Sequence, residues 1–362
     1  MVSKTRLGTR TAVFLVIAAS VVLGAAGVAN SKPGAKPGPL AALIAQSKKE
    51  SGIVVYGNPP PANFAAVVKK FNYYYPWIKV TEYDLDDNTI FSKYASEAAQ
   101  GVRTADMLIA SAPNLWVYAA RKGFAADFTP LGLGGYPSWV KQYKGIYVIS
   151  PDPAVIVYNK LLLKDKVPQS LTQIANDSGT YPKVTGYTAD NTFGYTGLYG
   201  YVQLKGWGNL QKIGKRLTPT TGVATQIQLV AQGAAVAAYL TSPTARFRIA
   251  TDPALRNILD WTYSKDATPI VPRGAAVTKQ AKSPASARLF LSFVFSKIGQ
   301  QAMCDAGFTA FMNGFKPAGG CTNTLADVYA KVGQKNTYNP GFTQKFVNDR
   351  PAFTKRWHSI FG

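Results

Sequence analysis

Hydrophobic and polar positions alternate between two periods along the first part of the chain. Residues 53–56 form a short apolar run typical of a buried strand, and residues 64–71 carry apolar side chains at helical spacing with two lysines outward. The same order repeats, with strands expected at 78–83 and 106–110 and helices expected at 92–100 and 114–122. Three strand–helix units in succession predict a parallel sheet covered on both faces.

A second α/β region begins after residue 151. The run AVIVYNK has the composition of a strand, and residues 262–279 predict an extended return. Between them we expect helices at 207–215 and 224–232 and a strand at 235–240. Residues 285–303 place five apolar side chains on one helical stripe, which core packing explains: Ala287, Phe290, Leu291, Val294 and Phe295.

Residues 1–29 predict a secretory signal peptide. Lys4, Arg6 and Arg10 precede an apolar run at 12–28, and small residues end at Ala29, where cleavage is expected. The alternative is a membrane anchor, but the run is short for a spanning helix, which needs about 20 residues. The Pro/Gly-rich stretch 30–40 predicts a flexible leader. The protein is therefore expected to be periplasmic.

The chain has 362 residues and a net charge of +22, which changes the list of expected partners. The part of the chain after the signal peptide is long for one core and suits two lobes. The charge favours anionic surroundings or an anionic ligand. Its basic residues are spread singly and no nucleic-acid-binding motif accompanies them, so no nucleic acid partner is expected.

Cys304 and Cys321 are the only cysteines, and in an oxidising compartment they are expected to form a disulfide. A two-ligand metal site is the alternative, but it lacks partner residues, because the only histidine is His358 and neither cysteine belongs to a CxxC pair.

Catalysis has little support in the sequence. The single histidine argues against Ser-His-Asp and Cys-His mechanisms, and no GxSxG elbow, P-loop or GxGxxG occurs. The clustered acids Asp84, Asp86 and Asp87 are expected on a loop, solvated rather than catalytic. We therefore expect no enzyme activity and no cofactor.

Five segments in order resemble the family 1 extracellular solute-binding proteins of ABC importers, in the branch with ferric-iron and phosphonate binders. They are LIAQSKKESGIVVYG, FNYYYPWIKVTEY, TADMLIAS, AVIVYNK and GAAVTKQAKSPASARLFLSFVFSKIGQQAM. The resemblance implies a type II periplasmic-binding-protein architecture, in which two α/β lobes, each a mixed sheet flanked by helices, are joined by two hinge strands. It implies lobe 1 at 41–150, lobe 2 at 151–268, and at 269–362 the return hinge, the rest of lobe 1 and C-terminal helices.

The resemblance also implies ligand loops beyond the carboxyl ends of the strands, at 56–63, 111–114, 190–196 and 239–242. A helix from about Gly197 is expected to attract an anionic group at its N-terminus. Any single tyrosine here has core packing as its alternative, and Arg273 has a surface position as its own. The candidate ligand-binding residues are Asn58, Ser111, Asp190, Thr192, Tyr195, Tyr239 and Arg273.

Iron-binding members of the resembled family use a histidine, a glutamate and two adjacent tyrosines. Residues 58–63 hold no histidine, residues 111–113 hold no acid, and Tyr239 is followed by Leu240. Only Tyr239 remains as a metal ligand, so no metal site is expected, and direct iron binding with a synergistic anion becomes an alternative.

The sequence thus favours the substrate-binding component of an ABC importer, a monomer that captures a small anionic organic or phosphonate-like solute and delivers it to a membrane permease. A secreted protein that binds polyanions or the cell wall through its surface charge is a further alternative.

Overall fold

The computed structural model describes residues 38–362, so the predicted signal peptide and nearly all of the predicted leader lie outside the described residues. The helices are α1 (Pro39–Ser47), α2 (Pro61–Tyr74), α3 (Asp87–Ala99), α4 (Pro113–Lys122), α5 (Lys160–Leu163), α6 (Leu171–Asn176), α7 (Thr192–Lys205), α8 (Gly208–Ile213), α9 (Val223–Ala231), α10 (Ala245–Thr251), α11 (Pro253–Ile258), α12 (Pro284–Val294), α13 (Lys297–Asp305), α14 (Leu325–Val332) and α15 (Gln344–Phe361).

The strands form two sheets. They are β1 (Ile53–Gly57), β2 (Val80–Asp84), β3 (Met107–Ala110), β4 (Lys141–Tyr143), β5 (Ile146–Pro153), β6 (Val155–Asn159), β7 (Val184–Tyr187), β8 (Leu217–Thr220), β9 (Ala237–Thr241), β10 (Leu259–Tyr263), β11 (Thr268–Val277) and β12 (Thr337–Tyr338).

The first sheet has seven strands in the order β2-β1-β3-β11-β5-β4, with β12 paired to β11. The first three strands are parallel, as predicted, whereas β11 runs antiparallel to both β3 and β5 and makes the sheet mixed. Strand β3 is buried on both faces: Met107 and Ile109 belong to a core with Phe64 of α2 and Phe290 of α12, and Leu108 to a second core on the other face. This explains why its sequence is a continuous apolar run.

The second sheet has five strands in the order β10-β6-β9-β7-β8. Strands β7, β8 and β9 are parallel, and β6 is antiparallel to β9 and β10. The chain passes from the first sheet to the second between β5 and β6 and returns between β10 and β11. Both sheets are mixed and are flanked by helices, as the sequence predicts.

The C-terminal segment contacts elements of both sheets. Phe346 of α15 packs against Tyr195 of α7 with ring centroids 4.5 Å apart, and Phe342, just before α15, stacks on Trp116 of α4 at 6.1 Å. Aromatic pairs of this kind contribute beyond their buried area, so α15 is a structural element of the two-sheet body.

Three predicted elements differ from the observed ones. Helix α7 begins at Thr192, not near Gly197, because the Asn191 side chain accepts from the Gly194 N–H and caps the helix there. Helix α3 begins at Asp87, not Ser92, because Asp86 caps it in the same way. The stripe at 285–303 is divided between α12 and α13, although its five apolar residues are buried as predicted.

The predicted disulfide is confirmed, since Cys304 of α13 is bonded to Cys321. Within residues 38–362, no helix combines the length and the apolar composition that crossing a membrane requires.

Candidate functional site

A cavity of about 310 Å³ lies where the strand ends of the two sheets face each other. Its first wall comes from loops that follow β1, β2 and β3, together with a residue of β11, and consists of Asn58, Pro60, Pro61, Asp84, Asp87, Ser111 and Arg273. Its second wall comes from segments that follow β7, β8 and β9, and consists of Tyr187, Asn191, Phe193, Thr221, Gly222, Val223, Ala224, Ser242, Thr244 and Arg248.

On the first wall, the Asn58 side-chain amide is hydrogen-bonded to both Arg273 and Asp87. Its Oδ1 accepts from Arg273 Nη1 and from the Ser111 N–H, both at 3.1 Å. These two donors orient the amide, so its Nδ2 donates to Oδ1 of Asp87. Ser111 is 3% exposed, and its hydroxyl has no hydrogen-bond partner among the described residues.

Arg273 is committed to a buried ion pair. Its Nε and Nη2 both lie 3.1 Å from Oδ2 of Asp152, and the two side chains are 3% and 0% exposed. Arg273 and Asp152 lie on the adjacent strands β11 and β5, close to where the chain passes between the sheets. The Arg273 charge is therefore largely balanced by Asp152, and the guanidinium offers the cavity mainly hydrogen-bond donors.

Three carboxyls between β2 and the start of α3 have raised pKa values, and two of them, Asp84 and Asp87, line the first wall. Burial raises the pKa of Asp87 to about 6, with the Asp86 charge adding to it and Thr192, Arg273 and Arg350 opposing it. Burial raises the pKa of Asp84, and burial and the Asp84 charge raise the pKa of Glu82 to about 7. These carboxyls are poised to respond to a charge placed in the cavity.

Helix N-termini differ between the walls. On the first wall, Pro60 is the N-cap of α2 and Pro61 is its first residue, so these two positions lack the N–H groups that an anion would bind. The start of α3 already carries Asp86 and Asp87. The first wall is therefore a poor anion site.

On the second wall, α9 begins at Val223 after the N-cap residue Gly222, with no side-chain cap, and Gly222, Val223 and Ala224 all line the cavity. The first N–H groups of a helix lack intrahelical partners and favour negative charge. Arg248 lies in the same wall, half-buried, and within residues 38–362 its guanidinium makes no ion pair. An anionic group has its best environment here.

Tyr187 and Phe193 supply an aromatic surface to the second wall. Both rings are at least nine-tenths buried, and their centroids are 5.1 Å apart. They pack with Val271 of β11, which positions the aromatic pair beside the strand that carries Arg273. The cavity can therefore bind an organic group as well as charged ones.

The structure brings some predicted site residues together and separates others. Asn58, Ser111 and Arg273 line the cavity, and Thr192 is buried beside Asp87 without lining it. These positions agree with the predicted cleft, although their contact with a solute stays a prediction.

Asp190, Tyr195 and Tyr239 do not line the cavity, which corrects their predicted placement. Asp190 lies at the surface beside α15, where its Oδ1 is 3.0 Å from Nε2 of His358. Tyr195 points from α7 into the core and donates to the Phe346 carbonyl at 2.7 Å, because α7 starts earlier than predicted. Tyr239 is 1% exposed and lies over Gly186, where a Cβ would come within 3.2 Å of its Cζ.

The sequence did not assign Asp84, Asp87 or Arg248 to the cavity, nor the start of α9, although the helix itself was expected from residue 224. Asp86 two residues after a strand is a helix-capping signal, which would have moved Asp87 from the predicted loop to a helix start. Gly222 after β8 is a similar signal for α9. Arg248 has no such signal in the sequence.

The cavity is not a metal centre of the usual kind. Among the residues that the structure describes, no group of three His, Cys, Asp or Glu side chains is arranged to hold an ion. Tyr239, the one predicted iron ligand, lies in the core, where burial raises the pKa of its hydroxyl and disfavours tyrosinate.

Solved structures show the same fold. A substrate-binding protein of an ABC transporter from Agrobacterium tumefaciens aligns over 88% of this chain and 97% of its own with a TM-score of 0.74 and 20% identity. Iron-bound HitA from Pseudomonas aeruginosa aligns over 84% and 99% (0.66, 18%), and AfuA from Actinobacillus pleuropneumoniae with fructose-6-phosphate bound over 86% and 98% (0.67, 15%). No curated protein sequence matches the chain.

The architecture is that of the type II periplasmic binding proteins, with two mixed sheets and a cavity lined by residues from both. The model of the bacterial extracellular solute-binding protein family matches residues 90–309, more than half of the chain. The chain belongs to this family. It is a non-enzymatic solute-binding protein that acts outside the cytoplasm.

Proposed function

We propose that the protein is the substrate-binding component of an ABC importer and captures a small anionic organic or phosphonate-like solute in the cavity. The observation that carries this proposal is the start of α9, whose uncapped first turn lines the cavity next to Arg248. The hydroxyls of Ser242 and Thr244 on the same wall are hydrogen-bonded to each other at 2.9 Å, which leaves one of their two protons as a further donor for an oxyanion.

The size and position of the cavity support transport binding. A volume of about 310 Å³ suits a small molecule. Because the two walls come from different sheets, a solute that contacts both would favour their approach, which is how a two-lobed binder signals loading. We propose lobes at 41–150 and 151–268, with 269–362 completing the molecule, and a monomer as the binding unit.

The cellular setting is part of the same proposal. We propose that the signal peptide is cleaved near Ala29, that the mature protein works in the periplasm, and that its partners are the solute and a membrane permease, with no nucleic acid. N-terminal sequencing of the exported protein tests the cleavage. An intact residue 1–29 segment on that protein would contradict it.

Mass spectrometry of whatever co-purifies with the native protein tests the solute class. An anionic small molecule that is released on unfolding and rebinds on refolding would support the proposal. Arg248→Gln should weaken rebinding by about tenfold, because one charged hydrogen bond is lost. Co-purification of a solute without a negative group would overturn the anionic assignment.

Ferric iron bound with a synergistic anion is the second candidate, and the fold shared with iron-bound HitA is what favours it. The cavity offers Tyr187, Asp84 and Asp87 as oxygen ligands, which is fewer than a hard cation usually requires. An intense visible tyrosinate-to-iron band that vanishes in Tyr187→Phe would replace the proposed solute by iron.

Polyanion or wall binding through the basic surface is the third candidate, and salt separates it from cavity binding. Surface adhesion of a chain with net charge +22 should fall steeply as ionic strength rises, whereas binding of a small solute in the cavity should fall less. A steep fall for the co-purified solute, unchanged in Arg248→Gln, would favour the surface.

A further inference from the structure

The charged residues of the cavity lining that form no ion pair lie on opposite walls. Asp84 and Asp87 are on the first wall and Arg248 is on the second, and none of them forms an ion pair within residues 38–362. Arg273, the other charged residue of the lining, is balanced by Asp152. The first wall is therefore acidic, although the chain as a whole has a net charge of +22.

We infer that the solute is zwitterionic, with a cationic group held by Asp84 and Asp87 and an anionic group held by Arg248 and the start of α9. This inference rests on the proposed function, because it keeps the anionic group and its site and adds a cationic group on the other wall.

Each simpler solute leaves one wall without a partner. A purely anionic solute that fills the cavity would bring its charge towards Asp87, whose carboxylate is already repelled by the Asp86 charge. A purely cationic solute would leave Arg248 and the α9 N–H groups unpaired when the walls approach, which is costly for buried polar groups.

Two independent features of the cavity fit a cationic organic group beside the acids. The Ser111 hydroxyl on the first wall is buried without a partner in the described part of the chain, so its lone pairs are free to accept from an ammonium N–H, as its proton is free to bind an oxyanion. The Tyr187 ring lines the same cavity as Asp84 and Asp87. Aromatic faces next to carboxylates are a favourable environment for organic cations.

A metal cation is a weaker occupant for the acidic wall. Calcium takes six to eight oxygen ligands and magnesium keeps an octahedral shell. Over residues 38–362 the acids of this wall do not form a group of three, and Asp87 shares one oxygen with the Asn58 amide. An ammonium needs only two or three acceptors, which this wall supplies.

The test compares three matched probes on protein stripped of solute by unfolding and refolding. They are 2-aminoethylphosphonate, which has both charges, ethylphosphonate, which has only the anion, and ethylamine, which has only the cation. Calorimetric titration near pH 8 keeps the acids ionised and the amine protonated. We expect 2-aminoethylphosphonate to bind at least about tenfold more tightly than either single-charge probe, because one charged contact is worth about that factor.

Variants assign the effect to the walls. Asp87→Asn and Asp84→Asn should each weaken the binding of 2-aminoethylphosphonate by about tenfold. The affinity for ethylphosphonate should stay unchanged or increase, since each substitution removes a charge that repels the anion. Asp127→Asn is the matched control, because Asp127 is an exposed carboxylate outside the cavity lining and its loss changes the net charge equally. Thermal unfolding of each variant verifies that it folds.

The outcomes separate this inference from the proposed function. If 2-aminoethylphosphonate binds no more tightly than ethylphosphonate, the inference of a zwitterionic solute is wrong. In that case, loss of ethylphosphonate binding in Arg248→Gln would still support an anionic solute. If ethylamine alone matches 2-aminoethylphosphonate and Arg248→Gln changes nothing, the anionic part of the proposed function is wrong. A co-purified solute without a cationic group overturns the inference whatever the probes do.

Discussion

The two walls of the cavity are built alike and carry opposite charges. Each is made where parallel strands end and helices begin, after β1, β2 and β3 on one side and after β7, β8 and β9 on the other. Helix starts normally favour anions. On the first wall prolines remove N–H groups and Asp86 and Asp87 supply acids, whereas on the second wall α9 begins uncapped. The residues placed at a helix start therefore decide the charge that a strand-end site accepts.

The largest expected effect separates the two arginines of the cavity. Arg273→Met should lower the free energy of unfolding by about 3–5 kcal/mol, because it leaves the buried Asp152 carboxylate without its partner. Arg248→Met should change it by less than about 0.5 kcal/mol, because Arg248 has no ion-pair partner to abandon among the described residues. Urea unfolding of both variants measures the difference. Equal losses would mean that Arg248 is also structural and that the second wall has no free charge.

A carboxylate at the start of α9 should convert the second wall into a copy of the first. Ala224→Asp should weaken ethylphosphonate binding by roughly 100-fold, since a negative charge replaces an attraction with a repulsion. The fold should be unaffected or slightly stabilised, because an acid suits the first turn of a helix. Calorimetry and thermal unfolding together measure both effects.

Ala254→Asp is the matched control for that variant. Ala254 is also the second residue of a helix, α11, and it does not line the cavity. The Ala254→Asp variant should bind ethylphosphonate with the same affinity as the parent protein. A similar loss in both variants would point to the change in overall charge and remove α9 from the site.

The acidic wall should be detectable in the pH dependence of stability without solute. The raised pKa of Asp87, about 6, means that the folded protein holds this proton more tightly than the unfolded chain does. Its favourable contribution is complete below the unfolded pKa near 4 and is lost as the pH rises through about 6. Asp87→Asn should therefore raise the melting temperature at pH 8 more than at pH 5.

Several neighbours of Asp87 enter the interpretation of that profile. Asn58 and Thr192 donate to it, Asp86 repels it, and Arg273 and Arg350 attract it. Glu82, whose pKa is raised to about 7, titrates in the same range, so Glu82→Gln is measured alongside. A profile that Asp87→Asn leaves unchanged would show that the carboxyl is solvated and that the first wall is less acidic than inferred.

The smallest expected effects come from predicted site residues that lie outside both walls. Asp190→Asn should leave solute affinity within about twofold, because its partners are Thr188 and His358. Tyr195→Phe should also keep its affinity while losing about 1 kcal/mol of stability with the hydrogen bond to the Phe346 carbonyl. Calorimetry on the co-purified solute checks both. A tenfold loss in either variant would extend the site beyond the cavity lining.

Much of the fold was predictable because the apolar periodicity of each segment agrees with the element that the segment forms in the folded protein. The strands β1, β2 and β3 and the helices between them follow apolar periodicity, and Gly123 ends α4 in a left-handed conformation as its position indicates. The site was less predictable. Asn58, Ser111 and Arg273 line the cavity because they follow or lie on strands that meet there, and their contact with a solute stays a prediction. Tyr195 and Tyr239 lie in the core because helix register and strand face, not position in a loop, direct their side chains.

The sequence by itself determined most elements, their order, the disulfide and the family, because these depend on local residue patterns and, for the disulfide, on the presence of only two cysteines. Only the tertiary structure decided the chemistry of the cavity. Asp87 and Arg248 are 161 positions apart, and Arg273 forms an ion pair with Asp152, which lies 121 positions before it. Which charges cancel inside the protein and which remain for a solute depends on distances between residues far apart in the chain, and no local pattern encodes those distances.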